Sequence, residues 1–261
     1  MNARHVAVTG GSTGIGAETV IRLRAAGATV TVFDIAEPSV EVDNYIALDL
    51  ADNASIDTAL ASIGAVDGLC NSAGLPPREG NQALVLAVNF IGLRRFTRGM
   101  YEKLNKGSPI VNVSSLAGMH WRSNLDRVRP LLALDDDADL AAFVNAMALD
   151  WVAVYDLSKE AVSAWTVGQC EALIARGLRM NTVSPGAVQT ALLDDFISAF
   201  GEERVNSNLD RVGRASLAGE VADAIVFLLS NESQWIKGTD LIIDGGIAAC
   251  KQSDMMALGD P

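Results

Sequence analysis

A glycine-rich turn near the start of the chain constrains its fold more than any other segment. It spans Thr9–Gly16, follows the apolar run His5–Val8 and leads into a helical pattern that stops at Gly27. Glycine lets the backbone turn tightly and approach a ligand, and free N–H groups at a helix start favour a pyrophosphate. The order strand, turn, helix therefore predicts a nucleotide site formed by Gly10, Ser12, Thr13, Gly14, Ile15 and Gly16.

An acidic residue ends the next apolar segment. Thr29–Phe33 is typical of a second strand, and Asp34-Ile35 follows it, about 20 residues beyond the glycines. A carboxylate at this position can accept both ribose hydroxyls of NAD and would repel a 2′-phosphate. No arginine or lysine lies in the turn or directly after Asp34 to receive that phosphate, so the sequence favours NAD over NADP.

The composition excludes several classes of protein. The formal net charge of −12 argues against nucleic acid or an anionic membrane as a partner. No apolar run approaches the roughly 20 residues of a membrane span, and the short stretch before His5 leaves no room for a signal peptide. Three dispersed cysteines and two histidines make a disulfide framework or a metal site improbable and indicate a reducing, cytoplasmic setting.

Apolar strands and helical patterns alternate along the rest of the chain. With no linker or repeat, the pattern predicts one doubly wound α/β domain of the Rossmann type over residues 1–261, with a seven-stranded parallel sheet. Residues from Lys251 onward read as a tail. The later strands are expected at Tyr45–Leu48, Ala65–Cys70, Ile110–Val113, Leu178–Val183 and Leu241–Ile243.

A tyrosine and a lysine provide the candidate chemistry. Tyr155 and Lys159 are one helical turn apart, so they share a face, and an ammonium close to a phenol stabilises the phenolate. Tyr155 would then take the proton from an alcohol as hydride leaves carbon for a nicotinamide. Ser115, at the end of a strand, would hydrogen-bond the reacting oxygen, and Lys159 would also hold the ribose.

These motifs, in this order, resemble the short-chain dehydrogenase/reductase family over essentially the whole chain. The resemblance implies that Asn89 kinks its helix and holds a water in a proton relay, although it could also be a satisfied buried amide. It also implies a homodimer or homotetramer. Further cofactor contacts implied by the family motifs are Asp49 and Leu50 at the adenine, Asn71, Ala73 and Gly74 at the ribose, and Pro185, Gly186, Val188 and Thr190 at the nicotinamide and diphosphate.

Forty residues separate Ser115 from Tyr155, where the family more often has about a dozen. The helical insertion, at about residues 119–150, either roofs the substrate pocket or reshapes the subunit interface. The flanking residues His120, Trp121 and Trp151 either line the pocket or anchor the insertion. An amphipathic segment at about 191–208 matches the family's substrate lid. Its apolar residues indicate a hydrophobic ligand or else only cover the core.

The closer resemblance is to a bacterial subgroup of hydroxysteroid and coniferyl-alcohol dehydrogenases with the same insertion. It rests on four segments: Asp67–Asn71, Val111–Ser115, Arg179–Asn181 and Asp244–Ile247. The expected activity is therefore an NAD-dependent alcohol dehydrogenase acting on a small hydrophobic cyclic or aromatic alcohol or ketone. The alternatives are an NADPH-linked ketone reductase and a dinucleotide-binding sensor without turnover.

Overall fold

A computed structural model describes residues 4–259 of the chain. Two expectations concern residues 1–3 and 260–261, which lie outside the described residues. They are the interpretation of the stretch before His5 and the outer limits of the domain. The strands are β1 (His5–Thr9), β2 (Thr29–Asp34), β3 (Asn44–Ala47), β4 (Gly68–Asn71), β5 (Pro109–Val113), β6 (Arg179–Pro185), β7 (Val188–Gln189), β8 (Ser216–Leu217) and β9 (Asp240–Ile243).

Helices follow most strands. They are α1 (Gly14–Ala25), α2 (Asn53–Ala61), α3 (Gln82–Leu86), α4 (Leu93–Met100), α5 (Leu125–Leu132), α6 (Leu140–Met147), α7 (Trp151–Gly168), α8 (Cys170–Ala175), α9 (Leu193–Phe200), α10 (Glu202–Val212), α11 (Ala218–Leu229) and α12 (Ile247–Met256). A π-helical turn, Ala87–Gly92, joins α3 to α4, and short 3₁₀ turns lie at Leu116–Gly118 and Asn231–Ser233.

Seven parallel strands form one sheet in the order β3-β2-β1-β4-β5-β6-β9, which confirms the predicted doubly wound fold. The order reverses between β1 and β4. In such sheets, ligands bind outside the carboxyl ends of the strands at this switch point, because the connections diverge there. A separate pair, β7 with β8, was not expected from the sequence.

Two apolar cores cover the two faces of the sheet. Successive side chains of a strand point to opposite faces, so Ala7 packs in one core while Val6 and Val8 pack in the other. Helices α4 and α7 contribute to the first core, whereas α1 and α11 cover the second. Because both faces are buried, the central strands read as continuous apolar runs.

Two segments differ from the sequence-based expectation. The stretch from Lys251 is not a tail, because α12 continues to Met256. The insertion contains two helices, α5 and α6, rather than one amphipathic helix, and Asp139 caps the second by accepting from the Ala142 amide at 2.9 Å.

Among residues 4–259, no single helix is long and apolar enough to cross a membrane. Helices α6 and α7 pass that test only when taken together, by length and composition, and they are bent by 111° at the break between them.

Candidate active site

One large cavity lies at the carboxyl edge of the sheet. Its volume is about 980 Å³, and its wall includes both the glycine turn before α1 and the Tyr155 face of α7. The cavity is long, because it also reaches α10 and the start of α12. The dinucleotide motif and the candidate chemistry therefore open onto the same space.

The glycine turn forms a cradle for an anion. Gly10 has a φ of +67°, and a Cβ atom there would lie 2.5 Å from the Ala73 backbone. A Cβ atom on Gly16 would lie 2.0 Å from the Gly10 carbonyl oxygen, so this approach requires glycine. Thr13 makes no side-chain cap to α1, and Gly14, Ile15 and Gly16 face the cavity. Amides at such a helix start fit a diphosphate.

Asp34 lies at the end of β2 on the cavity wall. Its carboxylate accepts from the Ser12 amide at 3.0 Å and from the Ala36 amide at 3.3 Å. The Ser12 hydroxyl in turn donates to the Ala36 carbonyl at 2.7 Å. These bonds hold the carboxylate beside the glycine turn, in a position that fits ribose hydroxyls.

Tyr155 and Lys159 are buried side by side on α7. The Lys159 ammonium lies 5.9 Å from the centre of the Tyr155 ring and donates to the Val113 carbonyl at 3.1 Å. Burial lowers the pKa of Lys159 to about 8. Burial also raises the pKa of the Tyr155 hydroxyl well above its ordinary value, while the Ser115 side chain acts to lower it.

Ser115 follows β5 at the cavity wall. Its hydroxyl accepts from the Ala117 amide at 3.2 Å, which caps the 3₁₀ turn and fixes the side chain near Tyr155. The preceding Ser114 instead hydrogen-bonds the Lys159 carbonyl and the Ser163 hydroxyl, each at 3.0 Å. The second serine is therefore placed to meet a reacting oxygen, and the first holds α7 against β5.

Asn89 lies inside the π-helical turn and is fully buried. Its amide pairs with both backbone groups of Leu75, at 2.7 and 3.0 Å, and donates to the Ser158 hydroxyl at 3.3 Å. A mid-helix asparagine that bonds outside its helix leaves the regular ladder to bend there. Asn89 thus ties the loop after β4 to the helix that carries Tyr155.

The structure brings most of the predicted site residues to the cavity. Ser12, Asn71 and Asn89 do not line it but lie in the wall behind it. Asn71, for example, donates to Thr97 and Asn112, both at 2.8 Å. The predicted residues that do line it are Gly10, Thr13, Gly14, Ile15, Gly16, Asp34, Ile35, Asp49, Leu50, Ala73, Gly74, Ser115, Tyr155, Lys159, Pro185, Gly186, Val188 and Thr190.

The 119–150 segment touches the cavity only at its beginning. Met119 and His120 line the wall, and no residue of 121–150 does. Instead the segment is anchored to the body by ion pairs. Arg94, 1% exposed, donates to Asp136 at 2.6 Å, and Arg127 donates to the buried Glu160 of α7 at 2.9 Å. Of the three residues that flank the insertion, His120 lines the pocket, whereas Trp121 and Trp151 do not.

The predicted lid segment covers the tyrosine. Phe196 and Phe200 stack on each other, and both meet the Tyr155 ring edge-on, at centroid distances of 5.5 and 6.1 Å. Asp195 on the same helix accepts hydrogen bonds from Nε and Nη2 of Arg78, at 2.8 and 2.7 Å. Two aromatic rings and a bidentate ion pair therefore hold α9 over the site.

Several charged wall residues were not predicted from the sequence. Asp156 follows Tyr155 directly, and burial raises the pKa of its carboxyl to about 6. Arg78, Arg204 and Lys251 line the wall from three distant parts of the chain. Only the adjacency of Asp156 to Tyr155 could have been noticed in the sequence, because the others depend on how the connections fold over the sheet edge.

Comparison with family models gives two matches. Residues 4–125 match the model described as short chain dehydrogenase, and residues 139–248 match the model described as Enoyl-(Acyl carrier protein) reductase. Together the matches include the glycine turn, Ser115, Tyr155 and Lys159.

The similarity to known proteins extends over nearly the whole chain. This chain is 36% identical to coniferyl-alcohol dehydrogenase of a Pseudomonas species, with coverage of 94% of this chain and 97% of the relative. It is 30% identical to 3-alpha-hydroxysteroid dehydrogenase/carbonyl reductase of Comamonas testosteroni, with coverage of 94% and 96%. The solved 3-alpha-hydroxysteroid dehydrogenase from Pseudomonas sp. B-0831, complexed with NADH, superposes with a TM-score of 0.81 at 31% identity, over 95% and 98% of the two chains. These matches confirm the subgroup predicted from the sequence.

Proposed function

We infer that this chain, which belongs to the short-chain dehydrogenase/reductase family, is an NAD-dependent dehydrogenase of hydrophobic cyclic or aromatic alcohols. As a family member it is an oxidoreductase related to coniferyl-alcohol and hydroxysteroid dehydrogenases. The choice of NAD, the substrate class and the roles of individual residues are the proposal.

A single structural observation supports the proposed function. The glycine turn, Tyr155, Lys159 and Ser115 all line a single cavity of about 980 Å³. A nucleotide site without chemistry would need only the first of these. Because an apolar lid also covers the tyrosine, the arrangement suits a reaction that excludes water.

Each residue of the site has its own role in the proposed reaction. Tyr155 takes the proton of the substrate hydroxyl, and Ser115 donates a hydrogen bond to the same oxygen. The Lys159 ammonium favours the phenolate and would hold the cofactor ribose. A bound nicotinamide cofactor would supply the acceptor of the hydride, or its donor in the reverse direction. Asn89 holds the loop after β4 and, as a proposal, positions a water that carries the proton onward.

The choice of NAD rests on Asp34. Its carboxylate is held beside the α1 cradle by two backbone amides, so a 2′-phosphate would meet a fixed negative charge. The relative solved with NADH supports the same choice. An NADPH-linked reductase would need a cation at this position.

The substrate class rests on the cavity wall near Tyr155. Leu75, Leu84, Val88, Phe196 and Phe200 make it largely apolar and partly aromatic. Such a wall favours a ring-containing alcohol or ketone over a small polar one. The names of the relatives, which act on coniferyl alcohol and on hydroxysteroids, support this class.

The test is a turnover assay with NAD and NADP separately. Hydroxysteroids, aryl alcohols, cyclic alcohols and terpenols are supplied, and the absorbance of reduced nicotinamide is followed. Reduction of NAD by one class, and little reduction of NADP, is expected. Equal or greater use of NADP would contradict the cofactor choice. Tight NAD binding without turnover, in either direction and for any alcohol, would favour the sensor.

The remaining assignments belong to the same proposal. The chain is one domain over 1–261, with its insertion at 119–150 and its lid at 191–208, and it acts in the cytoplasm without nucleic acid or membrane as a partner. A homodimer or homotetramer is supported by exposed large apolar side chains on α11, on the edge strand β9 and in the segment between them, namely Phe227, Ile242 and Trp235.

A further inference from the structure

Two cations stand out on the cavity wall, on helices that carry neither the glycine turn nor Tyr155. Arg204, on α10, and Lys251, on α12, both line the wall. Among residues 4–259 neither makes an ion pair or a side-chain hydrogen bond within the chain, although Arg204 lies over the Phe200 ring at 5.3 Å. In a chain with a net charge of −12, two cations without acidic partners at a ligand cavity call for an explanation.

The positive charges of Arg204 and Lys251 repel each other. Lys251 is partly buried, and its pKa is lowered first by burial and then by the charges of Arg204 and Arg211. Arg211 is already engaged by Asp254 at 2.7 Å, which leaves Arg204 and Lys251 as the cations available to a ligand. An anion placed between them would relieve both the repulsion and the desolvation.

The nearby acidic groups do not fill this role. Asp244 faces Lys251, but its two oxygens accept from the Gly246 and Ala248 amides, at 2.8 and 2.7 Å. Asp156 attracts Arg204 without a hydrogen bond and lies beside Tyr155, at the reacting end. Glu202 and Glu203, on the same helix as Arg204, do not line the cavity.

The cations are separate from the cofactor cradle and close to the substrate. The α12 helix follows β9, which lies four strands from β1 in the sheet, or roughly 19 Å at about 4.8 Å per strand. Arg204, by contrast, lies over the Phe200 ring, and Phe200 in turn meets the Tyr155 ring at a centroid distance of 6.1 Å. An anion held there belongs to the molecule whose alcohol meets Tyr155.

We propose that Arg204 and Lys251 form a carboxylate subsite, so that the preferred substrate is a hydrophobic ring alcohol carrying a carboxylate at the end remote from the reacting hydroxyl. The inference rests on the proposed function and narrows its substrate class. The apolar wall around Phe200, Val205 and Leu209 binds the ring system, and the two cations set its direction in the cavity.

The test compares acids with their esters. The probes are para-(hydroxymethyl)benzoate and its biphenyl homologue, each measured against its methyl ester, with wild type, Lys251→Met, Arg204→Met and the double variant. We expect wild type to prefer at least one acid over its ester in kcat/KM. Each single variant should lower that preference about 3- to 10-fold, and the double variant by more than about 10-fold, because turnover of the acid falls more than turnover of the ester.

Three controls sharpen the result. Lys237→Met removes an exposed lysine that stacks on Trp235 outside the cavity, and it should leave the preference unchanged. Arg204→Lys should retain most of the preference, because the charge is kept although the contact with Phe200 changes. Added salt should reduce the preference of wild type but not the turnover of the ester.

A binding measurement separates the two proposals. Calorimetric titration of each acid and ester into the NADH-loaded Tyr155→Phe enzyme reports the subsite without turnover. If esters are oxidised and the acid preference is absent or survives in the double variant, the subsite is wrong and the dehydrogenase stands. If no probe or panel alcohol is oxidised but acids bind through Arg204 and Lys251, the subsite stands and the dehydrogenase fails. Loss of both signals overturns both.

Discussion

The Lys159 ammonium lies 5.9 Å from the centre of the Tyr155 ring, one turn farther along α7, and both side chains are buried. Helical periodicity places them on one face, and packing of α7 on the sheet brings that face to the cavity. The ammonium is therefore placed where its charge favours ionisation of the tyrosine.

Removal of the Tyr155 hydroxyl should stop the reaction without emptying the cofactor site. We expect Tyr155→Phe to lower kcat by about 10³-fold or more, because general acid–base catalysis contributes roughly 10²–10⁴. NAD affinity should change by less than about threefold. Steady-state kinetics and calorimetry measure the two quantities. Near-normal turnover would remove Tyr155 as the proton acceptor.

The buried ammonium of Lys159 should lower the stability of the fold, although the proposed reaction requires it. Burial holds its pKa at about 8, below the unfolded value of 10.5. As the pH rises, the native state therefore loses this proton at a lower pH than the unfolded chain does. Below pH 8 the buried charge destabilises the fold, and the penalty disappears as the pH rises from about 8 to 10.5. Lys159→Met should therefore raise the free energy of unfolding at neutral pH by about 2–3 kcal/mol and abolish activity.

Urea unfolding of the cofactor-free protein checks this at neutral and alkaline pH. The gain should shrink towards zero near the ordinary lysine pKa. The exposed Lys237→Met serves as control and should change stability by less than about 0.5 kcal/mol at either pH. A Lys159 variant that is less stable than wild type at neutral pH would contradict the argument.

Replacement of Asp34 should alter the choice of cofactor. Asp34→Ser removes the charge that repels a 2′-phosphate and the acceptor for the ribose, so NAD should bind about tenfold more weakly and NADP more tightly. Asp34→Asn is the matched comparison, since it removes the charge but keeps one acceptor oxygen for either the Ser12 or the Ala36 amide, and it should shift the cofactor preference in the same direction. The measured quantity is the ratio of the two dissociation constants, and an unchanged ratio would refute the role of Asp34.

The buried Arg94 should hold the insertion in place. It donates to the Leu132 and Leu134 carbonyls, at 3.1 and 2.6 Å, and to Asp136. Arg94→Met leaves these acceptors without a partner, which should cost about 2–4 kcal/mol. Hydrogen exchange should quicken in residues 125–147. Because residues 121–150 do not line the cavity, the folded enzyme should keep most of its kcat.

Arg95→Met is the comparison for that experiment. Arg95 pairs with Asp57, whose side chain is 63% exposed, so its loss should cost less than about 1 kcal/mol. Equal stability costs of the two substitutions would contradict the anchoring role of Arg94. A collapse of kcat in folded Arg94→Met would show that the insertion acts on the site.

The sequence could predict what local periodicity controls. Val6 to Val8 before the glycine turn predicted β1, and the spacing of Tyr155 and Lys159 predicted a shared helix face. The contacts of Phe196 and Phe200 with Tyr155 could not be foreseen, because they depend on the path of a connection about 40 residues away. The two-residue strands β7 and β8 are too short for a pattern, and the burial of Arg94 follows only from the insertion folded over it.

Cys70 lies on β4, between β1 and β5 at the middle of the sheet, and burial raises the pKa of its thiol to about 12. A thiol reagent attacks the thiolate, so this side chain is protected both by packing and by its protonation. In a background in which Cys170 and Cys250 are replaced by serine, its rate of labelling would count how often the centre of the sheet opens. The labelling rate of Cys70 would therefore report the frequency of global unfolding, with no probe group attached to the protein beforehand.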